Sequence, residues 1–207
     1  PPAISEALAS GRISKVRVIG QGTAAVAGQS MAALLDDLCG GILDVDAITA
    51  TELSGFHLRL DMSDTLVVAV SQSGTTTDTN RTVDLVRSRG AAVIAIVNRR
   101  NSDLTDRSDG VLYTSDGRDV EMSVASTKAF YAQIAAGFLL AFAVAEAAGV
   151  DVGSHADLLA ALRSLRFEEQ GARRICEEPR HLTELILKEP AEPSGRSDET
   201  AEGRPIQ

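Results

Sequence analysis

The segment Thr65-Leu66-Val67-Val68-Ala69-Val70 is apolar at five consecutive positions and carries no charge. Successive side chains of an extended strand point to opposite faces, so a strand built from this run must be covered on both. Val16-Arg17-Val18-Ile19 and Ala91 to Val97 are further β-branched or aliphatic runs, with helical patterns between them. Strands alternating with helices specify a parallel sheet with right-handed crossovers. Aromatic residues make up only 3% of the chain, with no Trp, so Ala, Val, Leu and Ile must build the core. The expected fold is α/β, three-layer and doubly wound: a five-stranded parallel sheet flanked by helices.

In chain order, the Val16–Ile19 strand runs into Gly20-Gln21-Gly22-Thr23-Ala24, and a helix from Ala25 to Leu38 ends at Gly40-Gly41. Ile42 to Ile48 alternates apolar and acidic residues, as a half-exposed strand does. Thr51 to Leu60 is ambiguous between a short helix and a loop. After the Thr65–Val70 strand and a polar turn, a helix is expected with Val83, Leu85 and Val86 inward and Arg81, Arg87 and Arg89 outward. Gly90 closes it. The Ala91–Val97 strand, a helix or turn over Ser102–Asp106, and a short strand Val111–Thr114 follow. A polar loop then leads to a long helix, Ala125 to Ala147. Residues 1–150 are expected to form one domain. Residues 151–188 read as a helical extension, with a helix from Ala156 to Arg174. Residues 189–207, rich in Pro, Glu and Ser, read as a disordered tail with too little apolar surface to offset its ordering entropy.

The formal charge of −9 argues against a nucleic-acid partner, which needs a basic face. The apolar stretch Ile134 to Ala148 is shorter than the roughly 20 residues that span a bilayer, so it reads as a core helix and not as a membrane anchor. Cys39 and Cys176 lie far apart, with no metal-ligand spacing and no disulfide framework. With no signal peptide, this fits a reducing cytoplasm. The opening Pro1-Pro2, without Met, fits a processed, trimmed or fragmentary chain. No metal and no organic cofactor is expected.

In open α/β sheets ligands bind beyond the carboxyl ends of the strands. Three polar turns should fall there: Gly22-Thr23, Ser71 to Thr79, and Ser123 to Lys128. The second, Ser71-Gln72-Ser73-Gly74-Thr75-Thr76-Thr77-Asp78-Thr79, is dense in hydroxyls and opens a helix. Hydroxyls and free first-turn amides suit phosphate oxygens, and the helix dipole adds to them. Gly74 permits a tight turn with φ > 0. No Lys or Arg lies within the loop, and the Gly-Lys-Ser/Thr ending of a Walker loop is absent, so the grip would be neutral hydrogen bonds. The competing assignment makes these residues helix caps and turn formers only.

Ser71 to Thr79 resembles the SQSGETADT signature of the isomerase module of the glucosamine-6-phosphate synthase family. Val124-Ala125-Ser126-Thr127-Lys128-Ala129-Phe130 is identical to that family's VASTKAF stretch, and Asp109 to Thr114 looks similar as well. The resemblance runs from about Val16 to Gly149 and is closest to the first of that module's two sugar isomerase (SIS) domains, which implies an SIS, flavodoxin-like fold. It also implies a sugar-phosphate site in which Ser71, Gln72, Ser73 and Thr76 hold the phosphate, Thr23 assists, and Val124 and Ser126 contact the sugar. Lys128 and Glu52 match family residues for which structural roles are expected.

The departures bear on activity. The family's Cys-Gly-Thr-Ser is Gln21-Gly22-Thr23-Ala24 here, and the Glu of its signature is Thr75. The family's glutaminase and second SIS domains, the latter supplying the isomerase base, have no counterpart in this sequence. An aldose–ketose isomerisation needs a positioned base, and the only candidates worth naming are His57 and Glu52. The catalytic residues are therefore unassigned. Three readings follow: one SIS domain of a synthase-like aminotransferase or isomerase whose site is completed elsewhere; a sugar-phosphate sensor without turnover; or an isomerase that works as a homo-oligomer, with His57 or Glu52 donated across an interface. The expected partners are a phosphosugar and either a second copy or a chain carrying a second SIS domain.

Overall fold

The computed structural model describes residues 1–115 and 127–164. The strands are β1 (Lys15–Gly20), β2 (Asp44–Thr49), β3 (Thr65–Ser71), β4 (Ala92–Val97) and β5 (Gly110–Tyr113). They form one parallel sheet in the order β2-β1-β3-β4-β5. The helices are α1 (Pro2–Ala9), α2 (Thr23–Cys39), α3 (Ala50–Phe56), α4 (Thr77–Arg87), α5 (Asp103–Asp106), α6 (Thr127–Ala147) and α7 (Ala156–Ser164).

The central strand is β3, buried at every position. Its side chains alternate between two cores, as the pleat requires. Leu66, Val68 and Val70 join Val16, Val18, Ile94 and Ile96 under a layer of α1, α2, α6 and α7. Val67 and Ala69 join Ile19, Val93 and Ala95 under α3, α4 and α5. This is the three-layer, doubly wound architecture expected from the aliphatic runs.

Local differences have physical causes. No element was expected before Val16, yet Pro2 occupies the first helical turn and Ile4, Ala7 and Leu8 present a buried stripe that forms α1. The ambiguous Thr51–Leu60 segment resolves into α3, whose N-cap Thr49 accepts a hydrogen bond from the Glu52 amide at 3.2 Å. On α4 the expected inward Leu85 is only half-buried, and Thr82 is buried in its stead. The Thr82 hydroxyl contacts the Ala50 carbonyl at 2.9 Å and the Asp78 carbonyl at 2.8 Å, so a polar residue fits the α3–α4 seam.

The long apolar helix α6 contains a stretch, Ala129–Ala147, that is long and apolar enough by length and composition to cross a bilayer. Within this fold most of it is buried, with Ala135, Ala136, Phe138, Ala141, Phe142 and Ala145 in the first core. Helix α7 follows the expected C-terminal helix as far as Ser164. The rest of that extension and the expected tail lie outside the described residues.

Opposite the carboxyl ends of the strands, Asp64 receives Lys15 Nζ at 2.8 Å and the Arg59 guanidinium. The Arg59 hydrogen bond, foremost, holds the Asp64 carboxyl far below the usual carboxylate range. A carboxyl depressed in the folded state lends stability above its unfolded pKa of about 3.9, and that stability is lost as pH falls through the folded value. Asp64→Asn should therefore lower the melting temperature at pH 7. The gap to wild type should narrow steadily as pH falls below about 4, as read by melting curves across pH. A gap independent of pH would show that the ion pairs are not its source.

Candidate functional site

Chain connections set the position of the site. The β1–α2–β2 crossover moves one way from β1, and the β2–α3–β3 crossover returns past it to the other side. Loops leaving β1 and β3 therefore diverge, and in sheets of this order the crevice between them is where ligands bind. The loops in question are Gly20 to Thr23 and Ser71 to Thr76.

The first loop begins where β1 ends. Gly22 caps α2 with φ 58° and ψ −130°, a conformation that residues with a Cβ adopt only under strain. Thr23 is the first residue of α2 and is exposed on this edge. Gln21 Nε2 donates to Thr51 Oγ1 at 3.2 Å and so ties the loop to α3.

The second loop turns immediately at the end of β3. Buried Ser71 uses its Oγ to accept the Gly74 amide at 3.0 Å. Gly74 has φ 65°, the left-handed turn anticipated from its sequence position. Ser73 Oγ accepts from the Thr75 amide at 3.2 Å and from Thr75 Oγ1 at 3.0 Å. The Gln72 carbonyl accepts the Asn98 and Arg99 amides, both at 3.2 Å, which joins the loop to the chain leaving β4. Behind the turn, the Gly74 carbonyl accepts the Leu104 amide at 3.0 Å and Asn80 Nδ2 at 3.2 Å.

Thr76 is the N-cap of α4, but its side chain makes no capping hydrogen bond. For Thr76 the capping assignment does not hold. The first intrahelical bond runs from the Asn80 amide to the Thr76 carbonyl at 3.0 Å, so the first-turn amides have no partner within the helix. The structure thus brings Ser71, Gln72, Ser73 and Thr76 onto one loop at the crevice, with Thr23 on the adjoining loop. Val124 and Ser126 lie outside the described residues, and Lys128 is placed only as the second residue of α6.

This arrangement suits an anion. Hydroxyls and helix-end amides donate without adding charge, and the α4 dipole puts partial positive charge at its first turn. On the loop after β4 the Arg100 guanidinium stacks 4.4 Å above the Tyr113 ring. Glu52 lies on α3 and His57 caps its C-terminus, with Oε1 and Nε2 3.9 Å apart and both side chains more than half exposed. Among the described residues no group of three or more His, Cys, Asp or Glu is placed to hold a metal ion.

Two further residues, Asn80 and Ser102, lie behind the loop and outside the motifs that the sequence singles out. Both are buried, and Asn80 Oδ1 and Ser102 Oγ have no hydrogen-bond partner. Asn80 shares the inward stripe of α4 with Thr79, Thr82, Val83 and Val86. A polar side chain on an otherwise inward stripe is the signal by which it could have been found.

Known proteins share this fold and stretches of this sequence. The model of the SIS domain family matches residues 12–143. The glutamine–fructose-6-phosphate aminotransferase (isomerizing) of Mycobacterium tuberculosis strain H37Rv is 47% identical over 107 residues, covering 52% of this chain and 17% of the relative. The enzyme of the same name from Corynebacterium efficiens is 41% identical over 140 residues, covering 66% of this chain and 21% of the relative. The chain therefore spans only about a fifth of the length of these curated relatives. Among solved structures, the C-terminal domain of glucosamine-fructose-6-phosphate aminotransferase from Francisella tularensis superposes with a TM-score of 0.67. That match has 23% identity and covers 87% of this chain and 50% of the other. With the family model spanning more than half of its residues and this sheet order beneath it, the chain belongs to the SIS domain family.

Proposed function

We propose that this chain binds a phosphorylated sugar, fructose 6-phosphate or glucosamine 6-phosphate, at the Ser71–Thr76 loop. It acts as the sugar-phosphate-binding SIS domain of a synthase-like aminotransferase or isomerase of amino-sugar metabolism. The observation that carries this reading is the uncapped start of α4, where Thr76 leaves its hydroxyl and the first-turn amides unengaged beside Ser71 and Ser73. The names of the relatives supply the sugar. Ser71, Gln72, Ser73 and Thr76 hold the phosphate, Thr23 assists from α2, and the family resemblance assigns sugar contacts to Val124 and Ser126. The working form is a homodimer in the cytoplasm, or an assembly with a chain carrying a second SIS domain.

A second reading, a sensor that binds without turnover, is favoured by the long, exposed Glu52–His57 contact. A base that moves a proton between adjacent carbons must be positioned against the substrate, and this pair is exposed on α3 and its C-cap.

Calorimetric titration with fructose 6-phosphate and glucosamine 6-phosphate tests both readings. Hydrogen bonds to charged groups are worth about 1.5–3 kcal/mol, so Ser73→Ala should weaken saturable binding tenfold or more. A folded wild-type chain that binds neither sugar would refute the first reading. Interconversion of the bound sugar by the chain alone would refute the second.

A further inference from the structure

Asn80 is more than nine-tenths buried, and one of its two polar atoms has no partner. The Gly74 carbonyl can only accept, so the Asn80 amide must present Nδ2 to it, at 3.2 Å, which leaves Oδ1 as the orphan. A buried polar atom without a partner is disfavoured, and a position that keeps one calls for an explanation beyond stability.

The explanation lies on the other side of the Gly74–Thr75 peptide. In a trans peptide the carbonyl and the following N–H point in opposite directions. Asn80 Nδ2 and the Leu104 amide hold the Gly74 carbonyl inward. The Thr75 N–H is thereby turned outward, where it donates to Ser73 Oγ at 3.2 Å. Thr75 Oγ1 donates to the same oxygen at 3.0 Å. A serine hydroxyl has two acceptor lone pairs and one proton. With both lone pairs engaged, Ser73 keeps only its proton to offer a ligand.

We propose that Asn80 is a positioning residue of this loop. Its amide, acting with the Leu104 N–H on the Gly74 carbonyl, orients the Gly74–Thr75 peptide so that the Ser73 hydroxyl is an obligate donor to an anionic oxygen. The proposal rests on the sugar-phosphate reading of the loop. It also makes the site selective, since a ligand that presents a donor to Ser73 finds no acceptor there.

Asn80→Leu, close in shape and apolar, removes both the donor and the orphaned oxygen. In the full chain, the variant should melt at or above the wild-type temperature. It should bind fructose 6-phosphate about tenfold more weakly, since one charge-directed hydrogen bond loses its alignment. In wild type the Thr75 amide resonance should move on titration with that sugar, and in the variant it should not. In a Ser73→Ala background, Asn80→Leu should have no further effect on affinity, because it acts through Ser73. If the leucine variant fails to fold, Asn80→Asp at neutral pH carries the test, with the same expected loss. Unchanged affinity and an unchanged Thr75 response in a folded variant would overturn the proposal alone. A wild-type chain that binds no phosphosugar would overturn it together with the reading beneath it.

Discussion

Gly74→Ala should lower the melting temperature by about 10 °C and abolish measurable phosphosugar binding. Two costs add. At φ 65° an L-residue is disfavoured by about 1–2 kcal/mol. A Cβ built there would also lie 2.0 Å from Ser102 Oγ, 2.6 Å from Ser102 Cβ and 3.0 Å from Val97 Cγ2. Overpacking of this kind costs about 1–3 kcal/mol. For a chain of this size each kcal/mol moves the midpoint by about 2–4 °C. A rotamer change of Ser102 leaves its Cβ 2.6 Å from the new methyl, so the loop and the Ser102 segment must move apart. That breaks the Gly74 carbonyl bonds and carries Ser71 and Ser73 with it. The double variant Gly74→Ala/Ser102→Gly separates the terms. It should recover the overpacking share of the loss and keep the conformational share. A Gly74→Ala chain with wild-type stability and affinity would mean that the tight turn does not govern the site.

Phe142→Ala should cost about 3–5 kcal/mol, the range for aromatic residues removed from cores. Phe142 is 1% exposed, packs in the first core beside Ala141 and Ala145, and its ring lies 6.1 Å from the His155 ring. The size of the loss follows from the neighbours. Alanines have no rotamers with which to fill a void, so the cavity persists and its walls lose their contacts. Denaturant unfolding should show a lower midpoint with an unchanged slope. Because Phe142 lies on the α6 face of the sheet, affinity measured on the remaining folded protein should stay near wild type. A loss below about 1 kcal/mol would show that α6 repacks freely, against the close packing expected of protein interiors.

Much of this was legible in the sequence for identifiable reasons. The Thr65–Val70 run could only be a strand covered on both faces, and once it was placed at the centre the alternating helices had to divide between two layers. The hydroxyl-rich turn declared itself by density, and Gly74 by its place between strand and helix. The misreading of Leu85 was geometric. At 100° per residue, positions 83 and 85 lie some 200° apart and cannot both point inward on one helix. The stripe 79, 82, 83, 86 obeys the spacing, and two of its members are threonines, which a search for apolar residues passes over. Helix α1 carried its own start signal in Pro2 but is too short for its periodicity to stand out. Asn80 was within reach, as a polar side chain on the inward stripe of α4 six residues from Gly74, but Ser102 was not, because the Gly74–Ser102 approach brings together residues from the ends of two different strands. A chain read one window at a time does not show which side chain will lie behind a turn.

The outer strand β2 runs Asp44-Val45-Asp46, with both carboxylates exposed and Asp44 bound by Arg17. An open sheet edge is normally an invitation for another strand to add itself. Here an incoming copy would bring its own pair of carboxylates against this pair, on a chain whose formal charge is already −9. Growth of the sheet from one molecule into the next is thereby blocked on this side.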